Sequence, residues 1–164
     1  MPMKPRLYSL LYHVLLSTKA SRPLIRPRWQ DDLHETLRKA ITAAGGVAVA
    51  IGGASDHVHL LLSLRPADSP DAIMSQVKTA SAAWAKEHDR AFDWQDEYAI
   101  FTVSWALRAK LEHFIRGQTA HHCQVKFVDE VAWLLRKNGA SLSPTHTEGA
   151  QKFNKHFTLK RPHA

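Results

Sequence analysis

The chain has 164 residues, of which 45% are hydrophobic and 23% charged, and its formal net charge is +7. This composition is typical of a soluble globular domain, and the absence of any apolar run of membrane-spanning length excludes an integral membrane protein. A small basic domain usually binds a polyanion, with nucleic acid the first candidate and an acidic membrane surface the second. The single cysteine, Cys123, cannot form an internal disulfide, and the N-terminus lacks the apolar segment of a signal peptide. We therefore expect a cytoplasmic protein.

The spacing of apolar residues predicts a domain of alternating strands and helices. Residues 7–17 form its first strand, in which Tyr12, Val14 and Leu16 share an apolar face and His13 lies on the opposite face. The later elements are a basic loop at 18–27, a helix at 29–44, a strand at 47–52, and a short turn at 53–56 that leads into a strand from His57 to Leu64. They are followed by a helix at 71–87 capped by Ser69 or Asp71, a strand at 99–104, and helices at 107–121 and 128–137. Residues Ile73, Val77, Ala80 and Trp84 are the expected buried stripe of the second helix.

This order of elements predicts an α+β fold of the ferredoxin-like class. Such a fold is a four-stranded antiparallel sheet with helices on one face, here with additional C-terminal helices. We expect the domain to span residues 5–139 and residues 140–164 to be a flexible basic tail, because the tail lacks periodicity. RNA-recognition domains share this arrangement, but their aromatic signature is absent here, and fold alone does not decide activity.

Residues 55–64 hold the pattern with the most chemical content, two histidines one residue apart at the start of a strand. Alternate residues of a strand share a face, so His57 and His59 point one way and the aliphatic residues Val58 and Leu60 point toward the core. The imidazoles then lie about 6–7 Å apart along the strand, close enough to converge on one metal ion. The alternative is that the pair merely begins a strand at the protein surface.

A stripe on the predicted helix at 107–121 is the candidate partner of this histidine pair. Its members are Leu111, Phe114, Ile115 and Gln118, and His121 and His122 extend it. If the helix packs on the open sheet face, Gln118 comes near His57 and His59. Two imidazoles, an amide oxygen and open positions suit Mg²⁺ or Mn²⁺ bridging to a phosphate. The alternative is that the apolar members are core residues and Gln118 lies on the surface.

Several short motifs follow one another along the chain. They are Tyr12-His13-Val14 with Ser17-Thr18-Lys19, then Asp56-His57-Val58-His59-Leu60-Leu61, then Trp94-Gln95 with Tyr98 and Phe101-Thr102-Val103-Ser104, then Ile115, Gln118, His121 and His122. Together they resemble the single-tyrosine HUH transposases of bacterial insertion sequences and the related repeat-associated tyrosine transposases. The resemblance runs from about Tyr12 to Gly139. A bare His-x-His pattern has little specificity, whereas the whole set in this order is specific.

The resemblance implies a DNA-processing mechanism. Members of this family bind hairpins near the ends of their element and cut single-stranded DNA. Two histidines and a helix glutamine hold a divalent metal at the scissile phosphate, and a helix tyrosine attacks it, leaving a phosphotyrosine link and a free 3′-OH. The resemblance therefore implies His57, His59 and Gln118 as metal ligands, with Mg²⁺ or Mn²⁺ as the cofactor. It also implies a homodimer in which one subunit's tyrosine can serve the other's histidines.

One position departs from the family pattern. The attacking tyrosine lies four residues before the glutamine, where this chain has Phe114, a ring with no oxygen to attack phosphorus. Tyr8, Tyr12 and Tyr98 lie in other parts of the pattern and are poor substitutes. Three explanations are open: a natural relative, inactivated or repurposed, that still binds DNA; an engineered Tyr-to-Phe change that traps a pre-cleavage complex; and a nuclease that uses metal-activated water.

The sequence leaves three functions to compare. They are a transposase-family protein with impaired cleavage, a non-catalytic regulator that binds DNA hairpins, and an RNA-binding module on the same fold. For each of them, affinity should fall steeply with salt, because lysine and arginine displace counterions from phosphates. The candidate phosphate contacts are Lys19, Arg22, Lys78, Arg108, Lys110 and Arg116.

Overall fold

A computed structural model describes residues 7–121 and 127–139 of the chain. Within these ranges the strands are β1 (Leu11–Ser17), β2 (Val47–Gly53), β3 (His57–Ser63) and β4 (Ala99–Val103), and the helices are α1 (Pro27–Ala43), α2 (Pro70–His88), α3 (Arg108–Arg116), α4 (Gln118–His121) and α5 (Phe127–Lys137). Short 3-10 turns lie at Lys19–Ser21 and Trp105–Leu107. The predicted tail and His122 lie outside the described residues. None of the helices described here has the length and apolar character to cross a membrane.

The four strands form one antiparallel sheet in the order β2-β3-β1-β4. This arrangement confirms the predicted α+β, ferredoxin-like class. In the register, Leu15 lies opposite His59, and His13 lies opposite Leu61 on one side and Phe101 on the other. Residues that face each other across antiparallel strands point to the same side of the sheet. The histidines of β1 and β3 and the phenylalanine of β4 therefore share one face.

The other face of the sheet carries the main apolar core. The central strands contribute Val14, Leu16, Val58, Leu60 and Leu62, and α1 contributes Trp29, Leu33, Leu37 and Ile41. This is the apolar face predicted from the alternation along β1 and β3. Full burial of each such side chain stabilises the fold by about 1.5–3 kcal/mol, so this face supplies most of the hydrophobic stabilisation.

Helix α2 packs on the same core with a stripe that differs from the predicted one. The helix begins after Ser69, whose side chain accepts a hydrogen bond of 3.3 Å from the Ala72 N–H, as expected for an N-cap. Its buried residues include Val77, Ser81 and Ala85, whereas Ala80 is exposed. The prediction for Ala80 was wrong because alanine is compatible with either side of a helix, so its position carries little information about burial.

The face that carries the histidines is covered by α3 and α5. Ile115 of α3 packs with Leu61, and Val131 and Leu134 of α5 pack with Leu15. The sheet face expected to be open is therefore closed, and His57 and His59 are 0% exposed. This corrects the alternative in which the histidine pair merely begins a strand at the surface.

The predicted helix at 107–121 is interrupted. α3 ends at Arg116, and α4 begins at Gln118, with Gly117 at φ −88° and ψ 9° between them. Glycine has a low helix propensity because its backbone loses more conformational freedom than that of other residues. The break gives Gln118 the start of a new helical turn, at the edge of the sheet face.

Gly52 of β2 allows α3 to lie against the sheet. A Cβ atom at this position would lie 1.9 Å from the backbone carbonyl oxygen of Ile115. Such an overlap with backbone cannot be relieved by rotating a side chain. Because Gly52 pairs with His59 in the register, the contact fixes α3 directly beside the histidine pair.

We predict that Gly52→Ala displaces α3 and lowers the free energy of unfolding by about 1–3 kcal/mol, as overpacked sites do. Thermal and urea denaturation measure this change. Gly117→Ala is the matched control, because its added methyl would lie 3.4 Å from its nearest neighbour atom, in ordinary contact. Equal stability of the two variants would show that the close approach of α3 to β2 is not a constraint.

Candidate metal centre

His57 stands at the start of β3 with both ring nitrogens directed at polar groups. Its Nδ1 lies 2.7 Å from Asp56 Oδ1, and its Nε2 lies 3.2 Å from Gln118 Oε1. A carboxylate only accepts hydrogen bonds, so Nδ1 carries the proton, and in the neutral ring the lone pair is on Nε2. This carboxylate–histidine arrangement is the one that orients metal-binding histidines.

His59 is held between strand β1 and helix α5. Its Nδ1 lies 2.8 Å from His13 Nε2, and its Nε2 lies 2.8 Å from Glu130 Oε1. The rings of His13 and His59 are stacked, with centroids 5.1 Å apart. Because His13 lies diagonally across from His59 on the neighbouring strand, the sheet register fixes this contact. His13 thus lies where it can fix the orientation of the His59 ring.

Glu130 of α5 completes the cluster, although it was not among the predicted ligands. Its side chain is 1% exposed, and its Oε2 lies 3.4 Å from His121 Nε2. The Gln118 amide also donates to Glu130 Oε1 over 3.5 Å. The signal in the sequence was an acidic residue inside the buried stripe of α5, one position before Val131, because an acidic side chain is rarely buried without a partner.

The donor atoms of this cluster converge on a small volume. The ligand atoms of His57, His59 and Glu130 all lie within 4.8 Å of one another, and Gln118 Oε1 lies beside His57. Imidazole nitrogens with carboxylate and amide oxygens are a donor set suited to a divalent cation such as Mn²⁺ or Mg²⁺. The residues present therefore fit such an ion.

Phe114 lies against this cluster within the same chain. Its ring is nearly perpendicular to that of His59, with centroids 5.6 Å apart, and 5.2 Å from that of His121. The position at which the resemblance places the attacking tyrosine is thus next to the histidine pair. The alternative in which Gln118 is a surface residue is wrong, because Gln118 is buried beside His57.

The predicted phosphate contacts on α3 differ in the contacts that they already make within the chain. Arg108 pairs with Glu112 at 2.6 Å and lies over the ring of Trp105, and Arg116 pairs with Glu112 at 3.6 Å. Lys110 is exposed at the edge of a cavity between α3 and α5.

The remaining predicted contacts are Lys19 and Arg22, in the loop after β1, and Lys78 of α2. Lys19 is exposed, and Arg22 donates to the Ala91 carbonyl over 3.2 Å. Lys78 donates to the Asp96 carbonyl over 2.5 Å, and partial burial lowers its pKa below the usual value. A lysine held in this way is less available to a phosphate than Lys19.

The electrostatics of the cluster centre on His13. Burial, with a smaller contribution from neighbouring His59, lowers the pKa of His13 to about 3, and the Glu130 carboxylate opposes part of this lowering. His13 is therefore neutral at ordinary pH, and its Nε2 can accept a hydrogen bond from the Nδ1–H of His59. That hydrogen bond would leave the Nε2 lone pair of His59 for a cation.

The fold and the site define an α+β protein with a candidate divalent-metal centre built on a His-x-His strand. Residues 6–118 match the protein family described as "Transposase IS200 like". Because this match covers more than half of the chain, the protein belongs to that family.

Individual relatives agree with this assignment. The chain is 29% identical over 119 residues to the ISDra2 transposase TnpA of Deinococcus radiodurans, covering 68% of this chain and 85% of that protein. A solved structure from Deinococcus radiodurans, described as a candidate transposase, is 27% identical with a TM-score of 0.59, covering 70% of this chain and 95% of that chain. A REP-associated tyrosine transposase solved with a REP hairpin is 15% identical with a TM-score of 0.53, covering 75% and 76%, and this likeness concerns the fold alone.

We predict that His13 makes the metal-free protein acid-sensitive. The unfolded chain takes up a proton at His13 near pH 6.5, whereas the folded chain does so only near pH 3. The free energy of unfolding therefore falls as the pH drops through this window, by at most about 1.4 kcal/mol per unit from this group. Urea denaturation with a chelator present should show a steeper loss in the wild type than in His13→Gln. The exposed His113→Gln is the control, and parallel curves for all three proteins would contradict the prediction.

Proposed function

We propose that this protein binds hairpin-bearing single-stranded DNA at a divalent-metal centre and that its strand cleavage is impaired. The observation that carries the proposal is the meeting of His57, His59 and Gln118 within one buried cluster, against the ring of Phe114. The chain belongs to the IS200-like family, and the resemblance implies these three polar groups as metal ligands and position 114 as that of the nucleophile.

The side chains have separable roles in this proposal. His57, His59 and Gln118 would hold Mg²⁺ or Mn²⁺, and Glu130 would supply a further oxygen and balance the positive charge. Asp56 and His13 orient the two imidazoles through their second nitrogens. The bound ion would withdraw electrons from a phosphate oxygen and so favour attack at phosphorus.

Phe114 determines whether a bound phosphate can react. In the family reaction a tyrosine oxygen forms a bond to phosphorus while the bond to the 3′ oxygen breaks, leaving a 3′-OH. A phenylalanine ring fills the same space but has no atom that could form this bond. The protein would therefore hold a strand at the metal centre without becoming linked to it.

DNA as the partner is supported by charge and by a structural neighbour. The net charge of +7 favours a polyanion, and exposed Lys19 and Lys110 lie on the loop after β1 and on α3. The REP-associated transposase with a similar fold was solved with a hairpin, which makes a DNA hairpin the appropriate probe. We also propose a homodimer, as the resemblance implies, although the ligand groups meet within a single chain.

The second candidate function is a non-catalytic regulator that binds DNA hairpins. Phe114 favours it, because binding does not need the missing hydroxyl. The two candidates differ in the role of the metal. A regulator would bind hairpins equally well after His57→Ala or in the presence of a chelator, whereas a strand held at the metal centre would be released.

We predict one Mn²⁺ site per chain that depends on the buried cluster. His57→Ala and His59→Ala should abolish binding, and Glu130→Gln and Gln118→Ala should each weaken it by about tenfold or more. Electron paramagnetic resonance of free Mn²⁺ titrated with DNA-free protein measures this directly. Glu35→Gln, on α1 across the sheet, is the matched control. Unchanged binding in folded His59→Ala would refute the site.

We predict that Phe114→Tyr restores Mn²⁺-dependent nicking. The substrate is a single-stranded oligonucleotide with a hairpin copied from the DNA on either side of the coding sequence. Denaturing gels should show a covalent protein–DNA adduct for Phe114→Tyr and none for the wild type, because only the variant has the attacking oxygen.

Two further variants make this test specific. Phe101→Tyr adds the same hydroxyl on the same sheet face, at a ring that contacts His13, and should form no adduct. The double variant Phe114→Tyr/His59→Ala should also form none. Failure of Phe114→Tyr to form an adduct while binding hairpin and metal would contradict the arrangement. Nicking by the wild type without an adduct would show that water is the nucleophile.

A further inference from the structure

A cavity of about 160 Å³ lies between α3 and α5 above strand β4. Its lining includes Phe101 of β4, Leu107 of the 3-10 turn before α3, Phe114 of α3, Trp133 and Leu134 of α5, and His13. The cavity thus shares Phe114 and His13 with the candidate metal centre. The cavity therefore lies next to that centre.

The walls of the cavity are mostly apolar and partly exposed. Trp133 is 46% exposed, although a tryptophan is usually largely buried, and Leu107 across the cavity is 50% exposed. Aromatic rings with an accessible face are the surfaces on which unpaired bases stack in proteins that bind single-stranded nucleic acid. This stacking tolerates any base sequence, because every base has a π-face.

The charges at the cavity match a nucleotide. Lys110 and Lys137 line it, and the part of the chain that the structure describes places no acidic side chain in the lining. The Lys137 ammonium lies over the Trp133 ring, 4.5 Å from its centroid. A base that stacks on this face would displace the ammonium, which could then contact the phosphate attached to that base.

Resting on the proposed function, we propose that this cavity is a base-binding subsite. It receives one unpaired base of the single strand whose phosphate lies at the metal centre, and the base stacks on Trp133 while Lys110 and Lys137 face the adjacent phosphates. Phe114, which separates the cavity from His59, then contacts the nucleotide on one side and the histidine on the other. The subsite would position the strand at the centre without reading its sequence.

The test compares the affinity for DNA tails that carry bases with the affinity for abasic tails. One probe is a DNA hairpin with a single-stranded oligothymidylate tail on each side, and the other has abasic tails of the same length. Fluorescence anisotropy should give a wild-type affinity about 5- to 150-fold higher for the thymidine tails, the range expected for stacking of one base. Trp133→Ala should remove this preference and leave the affinity for the tailless hairpin unchanged.

Three variants control this measurement. Trp105→Ala removes an exposed tryptophan (61%) that does not line the cavity, and it should keep the preference. Trp133→Phe keeps a stacking ring and should retain most of the preference. Leu107→Ala truncates the opposite wall without touching α5, and it should weaken the preference even if Trp133→Ala fails to fold.

The outcomes separate this inference from the proposed function. If the hairpin is not bound at all, the proposed function fails, and free oligothymidylate against an abasic oligonucleotide still tests the subsite. A preference for bases that folded Trp133→Ala retains, or no preference in the wild type, overturns the subsite. A change in sedimentation coefficient of Trp133→Ala without a change in base preference would instead assign the cavity to contact between two copies of this chain.

Discussion

Burial of the Glu130 carboxylate among imidazoles is the interaction on which the site depends. A charged group moved from water into a protein loses several kcal/mol of solvation unless close partners compensate. Here His59 lies 2.8 Å from one carboxylate oxygen, and His121 lies 3.4 Å from the other. Because Glu130 belongs to α5, that helix cannot dock on the sheet without placing its carboxylate in the cluster. Val131 and Leu134 hold the helix on the sheet. The Gln118 amide donates to the buried acid, and a cation bound at the Nε2 of His59 would compensate its charge further.

The two-residue period of the strands separates stability from chemistry. Along β3, Val58 and Leu60 face the core under α1 and α2, whereas His57 and His59 face the cluster under α3 and α5. A polar group on the second face therefore does not interrupt the main apolar core. Gly52 contributes to the second face in another way. It has no side chain, so the backbone of α3 can lie directly against β2.

The sequence predicts those parts of the site that depend on residues close together along the chain. Alternation places the histidines of β3 together, and helical spacing relates Phe114 to Gln118. Glu130 was not predictable as a partner of His59, because helical periodicity indicates that a position is buried and not what it meets. His13 likewise required the register between β1 and β3, which brings it diagonally across from His59. The covering of the histidine face depended on an absent side chain at Gly52, and hydrophobic patterns do not record close backbone approaches.

Under the proposed function, a single missing oxygen separates binding from cleavage. Phe114 keeps the volume of a tyrosine ring and contacts both His59 and His121, so the packing of the cluster does not require the hydroxyl. In the proposed complex, the charge, the donor atoms and the adjacent cavity would hold a strand through electrostatics and stacking, which do not depend on a nucleophile. Covalent attack does depend on one, because a bond to phosphorus needs an atom with a lone pair. The two proposals together therefore describe a retained strand, with its phosphate at the metal and its base against Trp133. Under them, a change at Phe114 would allow this complex to form a covalent link.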